Sequence, residues 1–289
     1  MLRSNYIRLP LAILIGALLI FSSAVLLNIS TLAMPKRSLD DQAALIADHL
    51  DIRLPENTDQ PVPAVILMHG CGGLRQVQED YSQAILSAGY AAVILDSNSA
   101  RGIGRFGAMS QVCTAARLLG QERAADIHAT LALLSENPLI NDTQIALIGW
   151  SHGGWTILDA LSLSGAGERP RALTSGPARL NGVQLAIAMY PYCGFPAHSD
   201  GSQLDPAIEL FSILASDDVI APVSDCVTDY QRARSLSLPV TWEVWDGLSH
   251  AFDEPNAPRF DPRIRYDDAA AARARQRVIE QLDHAFGAG

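Results

Sequence analysis

The chain has 289 residues, 48% of them apolar, and a net charge of −10 from 21 Lys and Arg against 31 Asp and Glu. That balance excludes a disordered or low-complexity chain and the basic face that a nucleic acid would need. Lys36 is the only lysine, which excludes Schiff-base chemistry, a phosphate-loop or kinase lysine, and a Ser-x-x-Lys nucleophile from the folded body.

The first element is an uncharged run from Leu9 to Leu32, rich in Leu, Ile and Ala and preceded by Arg3 and Arg8. A helix of that length could cross a bilayer core of roughly 30 Å. Residues 1–34 are therefore predicted to be a signal peptide or an uncleaved anchor, with membrane association through 9–32. Ser22-Ser23-Ala24 and Thr31-Leu32-Ala33 offer small residues for cleavage. Residues 35–289 form the folded domain, in an exported or periplasmic protein. Four cysteines, an even number, are compatible with disulfides there.

Beyond the leader, a short amphipathic piece at 40–50 runs into an edge-strand pattern at 49–54. From there strands and helices alternate. VPAVILM (62–68) is a continuous apolar run, the mark of a strand buried on both faces. A helix over 76–88 ends at Gly89, and YAAVIL (90–95) is a second buried strand. A long amphipathic helix is predicted over 115–137, stopped near Pro138. TQIALIG (143–149) is a strand and 155–164 a helix. Strands follow at 183–190 and 209–215, a helix at 223–237, a last strand at 240–245 and a closing helix at 269–286. Such alternation predicts an α/β fold with a mostly parallel, doubly wound sheet flanked by helices. Loops of some length fall at 165–182 and 191–207, but no insertion is large enough for a cap domain. In such a sheet chemistry belongs just past the carboxyl ends of the strands.

Gly149-Trp-Ser151-His-Gly153 is a GxSxG placed between a strand and an apolar helix. A tight turn there projects the serine hydroxyl above the sheet, and the glycines avoid clashes across it. A serine hydroxyl needs a base. His250 follows the last strand, and Asp217 and Asp218 follow the preceding one, giving the chain order Ser…Asp…His. Asp218 is preferred as the acid, with Asp217 the alternative. The oxyanion hole is assigned to the backbone N–H groups of Cys71, in the loop His69-Gly-Cys-Gly-Gly73, and of His152. Cys71 as a thiol nucleophile is the rival reading, disfavoured because no strained elbow surrounds it. Gly102-Ile-Gly-Arg-Phe-Gly107 matches a dinucleotide fingerprint but begins too far past its strand. No nucleotide cofactor is expected from it. With no CxxC and no HExxH, no metal is expected either. His49, His128, His198 and His284 are placed on the surface or on helix faces. Trp150, Trp155, Tyr190, Tyr192 and Phe195 lie near strand ends, where pocket and core roles are equally open.

With HGCGG, GWSHGG, SDDVIAP, SHAFD and the DSNSARG stretch at 96–102, the chain resembles the dienelactone hydrolase family of α/β-hydrolases over roughly 50–285. The resemblance implies a triad of Ser151, Asp218 and His250, and hydrolysis of small-molecule esters or lactones without a cofactor. Founding members carry a cysteine nucleophile where this chain has Ser151, which favours a general esterase. The sheet order of that fold puts the loops of Cys71 and Cys113 on neighbouring strands, and likewise those of Cys193 and Cys226. It therefore implies the disulfides Cys71–Cys113 and Cys193–Cys226. Acyl transfer or peptide cleavage by the same triad, and a non-catalytic membrane-tethered binding protein, are the alternatives.

Overall fold

The structure, a computed structural model, describes residues 5–32, 34–256 and 262–287, with side chains from residue 13 onward, residue 24 aside. Helix α1 (Asn5–Ile29) occupies most of the apolar leader. Arg3 and Ala33 lie outside the described residues, as do the side chains of Arg8, of residues 9–12 and of Ala24. The side chains of Ile13, Leu18, Leu19, Ile20 and Leu26 are exposed, so α1 is not a core helix. Its end is tied down: Asn28 is buried and donates from Nδ2 to the carbonyl of Ala115 at 2.9 Å. Among the described residues no helix is long and apolar enough to cross a membrane, so the expected anchoring gains no support.

The strands are β1 (Leu50–Arg53), β2 (Val62–Met68), β3 (Ala91–Leu95), β4 (Ile140–Trp150), β5 (Val183–Met189), β6 (Glu209–Ala215) and β7 (Val240–Trp245). Around them run α2 (Leu39–Ile46), α3 (Gln76–Ser87), the single turn α4 (Arg105–Gly107), α5 (Gly120–Ser135), α6 (His152–Ala166), α7 (Val223–Ser235) and α8 (Asp268–Phe286). They form one sheet in the order β1-β3-β2-β4-β5-β6-β7. Only the edge strand β1 is antiparallel, to β3.

The apolar run of β2 is continuous because both its faces are covered. Ala64, Ile66 and Met68 face the core under α2, α5, α6 and α7, while Val65 and Leu67 face the core under α3 and α8. Alternate side chains of a strand point to opposite faces, so a sheet roofed on both sides needs apolar residues at every position. Each Val, Leu or Ile buried this way contributes about 1.5–3 kcal/mol. The register brings the functional loops to one edge. Met68 pairs with Gly149, Trp150 with Met189, and Ala215 with Trp245. The segments after β2, β4, β6 and β7 therefore leave the sheet side by side.

The largest departure from the sequence reading lies at 115–119. The helix expected from residue 115 begins at Gly120. Ala115 and Leu118 have φ of 57° and 56°, left-handed values that no helix accommodates. Leu118 is buried instead with Ile103, Ala108 and Val112, in a small core against which Cys71 packs. Its apolar side chain serves that local core rather than a helical stripe, and periodicity cannot separate the two. The closing strands and helices fall within a few residues of expectation. Among the described residues no cap domain interrupts the sheet.

Candidate active site

Ser151 sits between the end of β4 and the start of α6 with φ 52° and ψ −112°. A non-glycine residue held there stores about 1–3 kcal/mol of strain, and the surroundings must impose it. They do so through its neighbours. The Ser151 N–H donates to the Met189 carbonyl at 2.9 Å, and its own carbonyl accepts from Trp155 N. The glycines of the motif are sterically required. A Cβ on Gly149 would strike the backbone of Gly153, and one on Gly154 would strike the ring of Pro191.

Three sequence-predicted side chains meet at this turn. His250 Nε2 lies 2.9 Å from Ser151 Oγ, and His250 Nδ1 lies 2.6 Å from Asp218 Oδ2. Both His250 and Asp218 are buried. The second oxygen of Asp218 accepts the N–H groups of Ile220 and Ala221, each at 2.8 Å. Those two bonds orient the carboxylate and are the structural use of the Asp-Val-Ile-Ala turn. Asp217 is exposed and lies 3.7 Å from Arg265, away from the imidazole.

Cys71 and His152 flank Ser151. His152 is the first residue of α6, where a helix leaves its N–H groups without internal partners. The loop bearing Cys71 is braced by a turn, Gly73 N to Gly70 O at 3.2 Å, and by Asn98 Nδ2 donating to the Cys71 carbonyl at 3.0 Å. Asn98 belongs to the DSNSARG stretch, whose contribution only the three-dimensional contacts disclose. Both expected disulfides are present, Cys71–Cys113 and Cys193–Cys226, and all four cysteines are bonded. A thiol nucleophile at Cys71 is thereby ruled out in this structure.

A cavity of about 210 Å³ opens beside Ser151. Val77, Met109, Trp150, Tyr190, Ile220 and Ile264 make its walls apolar, and Arg75 and Glu254 add charged groups. A wider hollow of about 570 Å³ around Glu209 and Val240 opens at the amino ends of β6 and β7, remote from the serine. Of the aromatic residues left open by the sequence, Trp150 and Tyr190 line the cavity. Trp155 packs on the His152 ring with centroids 4.8 Å apart, Tyr192 packs on Trp155, and Phe195 is exposed.

Sequence reasoning missed the acid beneath these three side chains. Asp253 is fully buried and accepts hydrogen bonds from the Tyr81 and Tyr190 hydroxyls and from Trp150 Nε1. Burial pushes its pKa up against those bonds. The Tyr190 ring stands edge-on to His250, centroids 4.9 Å apart, so Asp253 holds the aromatic wall behind the imidazole. An aspartate three residues after the base carries no signal for this without its partners. His128, expected on the surface or a helix face, is buried on α5.

Comparison with known proteins agrees with this architecture. The sequence model of the dienelactone hydrolase family matches residues 50–170. Two proteins named probable dipeptidyl-aminopeptidase B, from Ajellomyces dermatitidis and Blastomyces gilchristii, are each 26% identical over 171 residues, covering 57% of this chain. The chain spans only 18% of the length of these curated relatives. Among solved structures, a dienelactone hydrolase-like promiscuous phosphotriesterase from metagenomic libraries aligns with a TM-score of 0.58 and 16% identity, over 82% of this chain and 99% of that one. A thermophilic esterase of the Planctomycetes species Thermogutta terrifontis, propionate bound, aligns with 0.57 and 12%, over 82% and 89%. At those identities the likeness is one of fold. The resemblance to the dienelactone hydrolase family, within the α/β-hydrolase superfamily, holds.

Proposed function

We propose that this α/β-hydrolase of dienelactone hydrolase type is a serine hydrolase that cleaves carboxylic esters or lactones through an acyl-enzyme on Ser151. The observation that carries the reading is the unbroken relay from Ser151 Oγ to His250 to Asp218 at the mouth of an apolar cavity. His250 Nε2 takes the hydroxyl proton as Oγ bonds to the substrate carbonyl carbon. The carbonyl oxygen, now anionic, is met by the N–H groups of Cys71 and His152. The ester C–O bond breaks, and His250 returns the proton to the departing alkoxide. Water then repeats the sequence and releases the acid. Asp218 stays ionised, fixing the imidazole tautomer and stabilising imidazolium.

The same acyl-enzyme would serve acyl transfer or peptide cleavage. The relatives named dipeptidyl-aminopeptidase make peptide cleavage the second reading. The two disulfides fit an exported protein, with residues 1–34 read as its leader. The test is labelling with a fluorophosphonate probe beside Ser151→Ala, followed by p-nitrophenyl esters of rising chain length and a peptide anilide. Labelling confined to Ser151, with ester turnover abolished in Ser151→Ala, is the expected outcome. An unlabelled protein without turnover would leave a binding protein. Labelling with anilide but no ester turnover would favour peptide cleavage.

A further inference from the structure

Arg123, on α5, has no solvent-exposed surface. Its guanidinium reaches three segments at once. Nη1 donates to the His69 carbonyl at 2.7 Å and lies 3.3 Å from His152 Nδ1, while Nε donates to Ser97 Oγ at 2.9 Å. These partners are uncharged. The carboxylates nearest in sequence, Glu122 and Asp126, face Arg101 instead, Glu122 at 3.9 Å and Asp126 at 2.8 and 3.0 Å, and Asp126 also accepts from Gln42. Burying a guanidinium without a carboxylate in contact is costly, and an apolar side chain of similar volume would avoid that cost. Stability alone gives no reason for a cation here.

The partners of Arg123 supply one. His69 precedes Cys71 by two residues, and His152 is the other residue assigned to the oxyanion hole. A planar fork with fixed donor directions thus spans the β2–α3 loop and the nucleophile turn. Because guanidinium only donates, His152 Nδ1 accepts, and the imidazole is neutral with its proton on Nε2. Burial, and then the charge of Arg123, push the pKa values of His69 and His152 well below the usual histidine range, so neither ring charges beside the site.

The geometry points to Arg123 as a positioning residue of the oxyanion hole, clamping the Cys71 loop to the His152 turn and placing a buried positive charge beneath the developing anion. The inference rests on the acyl-enzyme reading. Outright loss of an oxyanion donor costs on the order of 10²–10³ in kcat. Misplacing the donors without removing them is expected to cost about 10–100-fold in kcat, with KM within about twofold.

The test compares Arg123→Met and Arg123→Lys with the unaltered enzyme, each first shown to be folded by circular dichroism and by a cooperative thermal melt. Arg123→Met should lower kcat as stated, leave KM and the midpoint of the pH–rate profile unchanged, and weaken a trifluoromethyl ketone inhibitor by a similar factor. Arg123→Lys, which keeps the charge and loses the fork, should recover only part. A folded Arg123→Met enzyme with kcat within twofold of the original overturns the inference. So does a loss in KM alone, or a displaced pH midpoint, which would mean action through His250. If Arg123→Met does not fold, Ser97→Ala, which frees Nε only, decides the matter: about a threefold fall in kcat supports the inference, and an unchanged kcat overturns it. Full turnover by Ser151→Ala would overturn the acyl-enzyme reading as well, and that control tells the two failures apart.

Discussion

Asp218 turns its carboxylate inward to His250, 2.6 Å from Nδ1, whereas Asp217, the preceding residue, faces solvent 3.7 Å from the Arg265 guanidinium. On the acyl-enzyme reading only Asp218 fixes the imidazole tautomer. Asp218→Asn is expected to lower kcat by about 10³–10⁴-fold. Asp217→Asn, which alters an exposed ion pair worth about 0–1 kcal/mol, should leave kcat within about twofold. Steady-state kinetics on the two enzymes check this, and equal losses would remove Asp218 from its role.

Gly153 lies so close to β2 that a Cβ there would collide with the Met68 carbonyl oxygen. The helix carrying His152 cannot retreat without breaking the turn at Ser151. Gly153→Ala is therefore expected to destabilise the fold by about 1–3 kcal/mol and to reduce fluorophosphonate labelling of Ser151 even where the protein remains folded. Gly167→Ala is the control. Its φ of 70° makes that substitution strained too, but nothing lies within 4 Å of its Cβ position and it is remote from the serine. Labelling of the Gly167→Ala protein at the original rate is the expected result, and a rate equal to that of Gly153→Ala would sink the argument.

The disulfides should differ in what they do. Closing loops of 42 and 33 residues, each is expected to contribute about 4 kcal/mol through the unfolded chain. Cys71–Cys113 also fixes the loop assigned to the oxyanion hole and the cavity wall at Met109 and Cys113. The double substitution Cys71→Ser with Cys113→Ser is predicted to lower both melting temperature and kcat. The Cys193→Ser, Cys226→Ser pair should lower mainly the former. Thermal melts and kcat measured side by side test this, and equal effects on kcat would contradict it.

Acid should unfold the protein through its buried histidines. Burial pushes the His128 pKa down to about 4, and neither ring nitrogen has a hydrogen-bond partner. In the unfolded chain the same group titrates near 6.5. As pH falls through that window the unfolded state takes up a proton that the folded state refuses. The stabilisation is complete above about pH 6.5 and is lost by about pH 4. For His128 alone the loss is about 3 kcal/mol, and His69 and His152 shift in the same direction. Urea unfolding at pH 7 and pH 4 should show the fall, and His128→Leu should reduce it. A pH dependence identical in both proteins would refute the assignment.

What the sequence by itself determined was local or periodic. The buried strands were legible because a sheet covered on both faces requires unbroken apolar runs, as in residues 62–68. The turn at Ser151 was legible because glycine is demanded on both sides of a crowded bend. The order Ser151, Asp218, His250 followed from where strands end, since the parallel register carries those ends to one rim. The tertiary structure alone decided what depends on partners remote in the chain. Which of Asp217 and Asp218 faces His250 depended on the folded chain, because two adjacent residues of the same type carry no periodic difference. Leu118 entered a local core with Ile103, Ala108 and Val112 instead of a helix. Arg123, Asn98 and Asp253 acquired their places through contacts 26 to 172 residues away along the chain. A buried polar side chain is specified by the groups that satisfy it, and those groups meet only once the chain has folded.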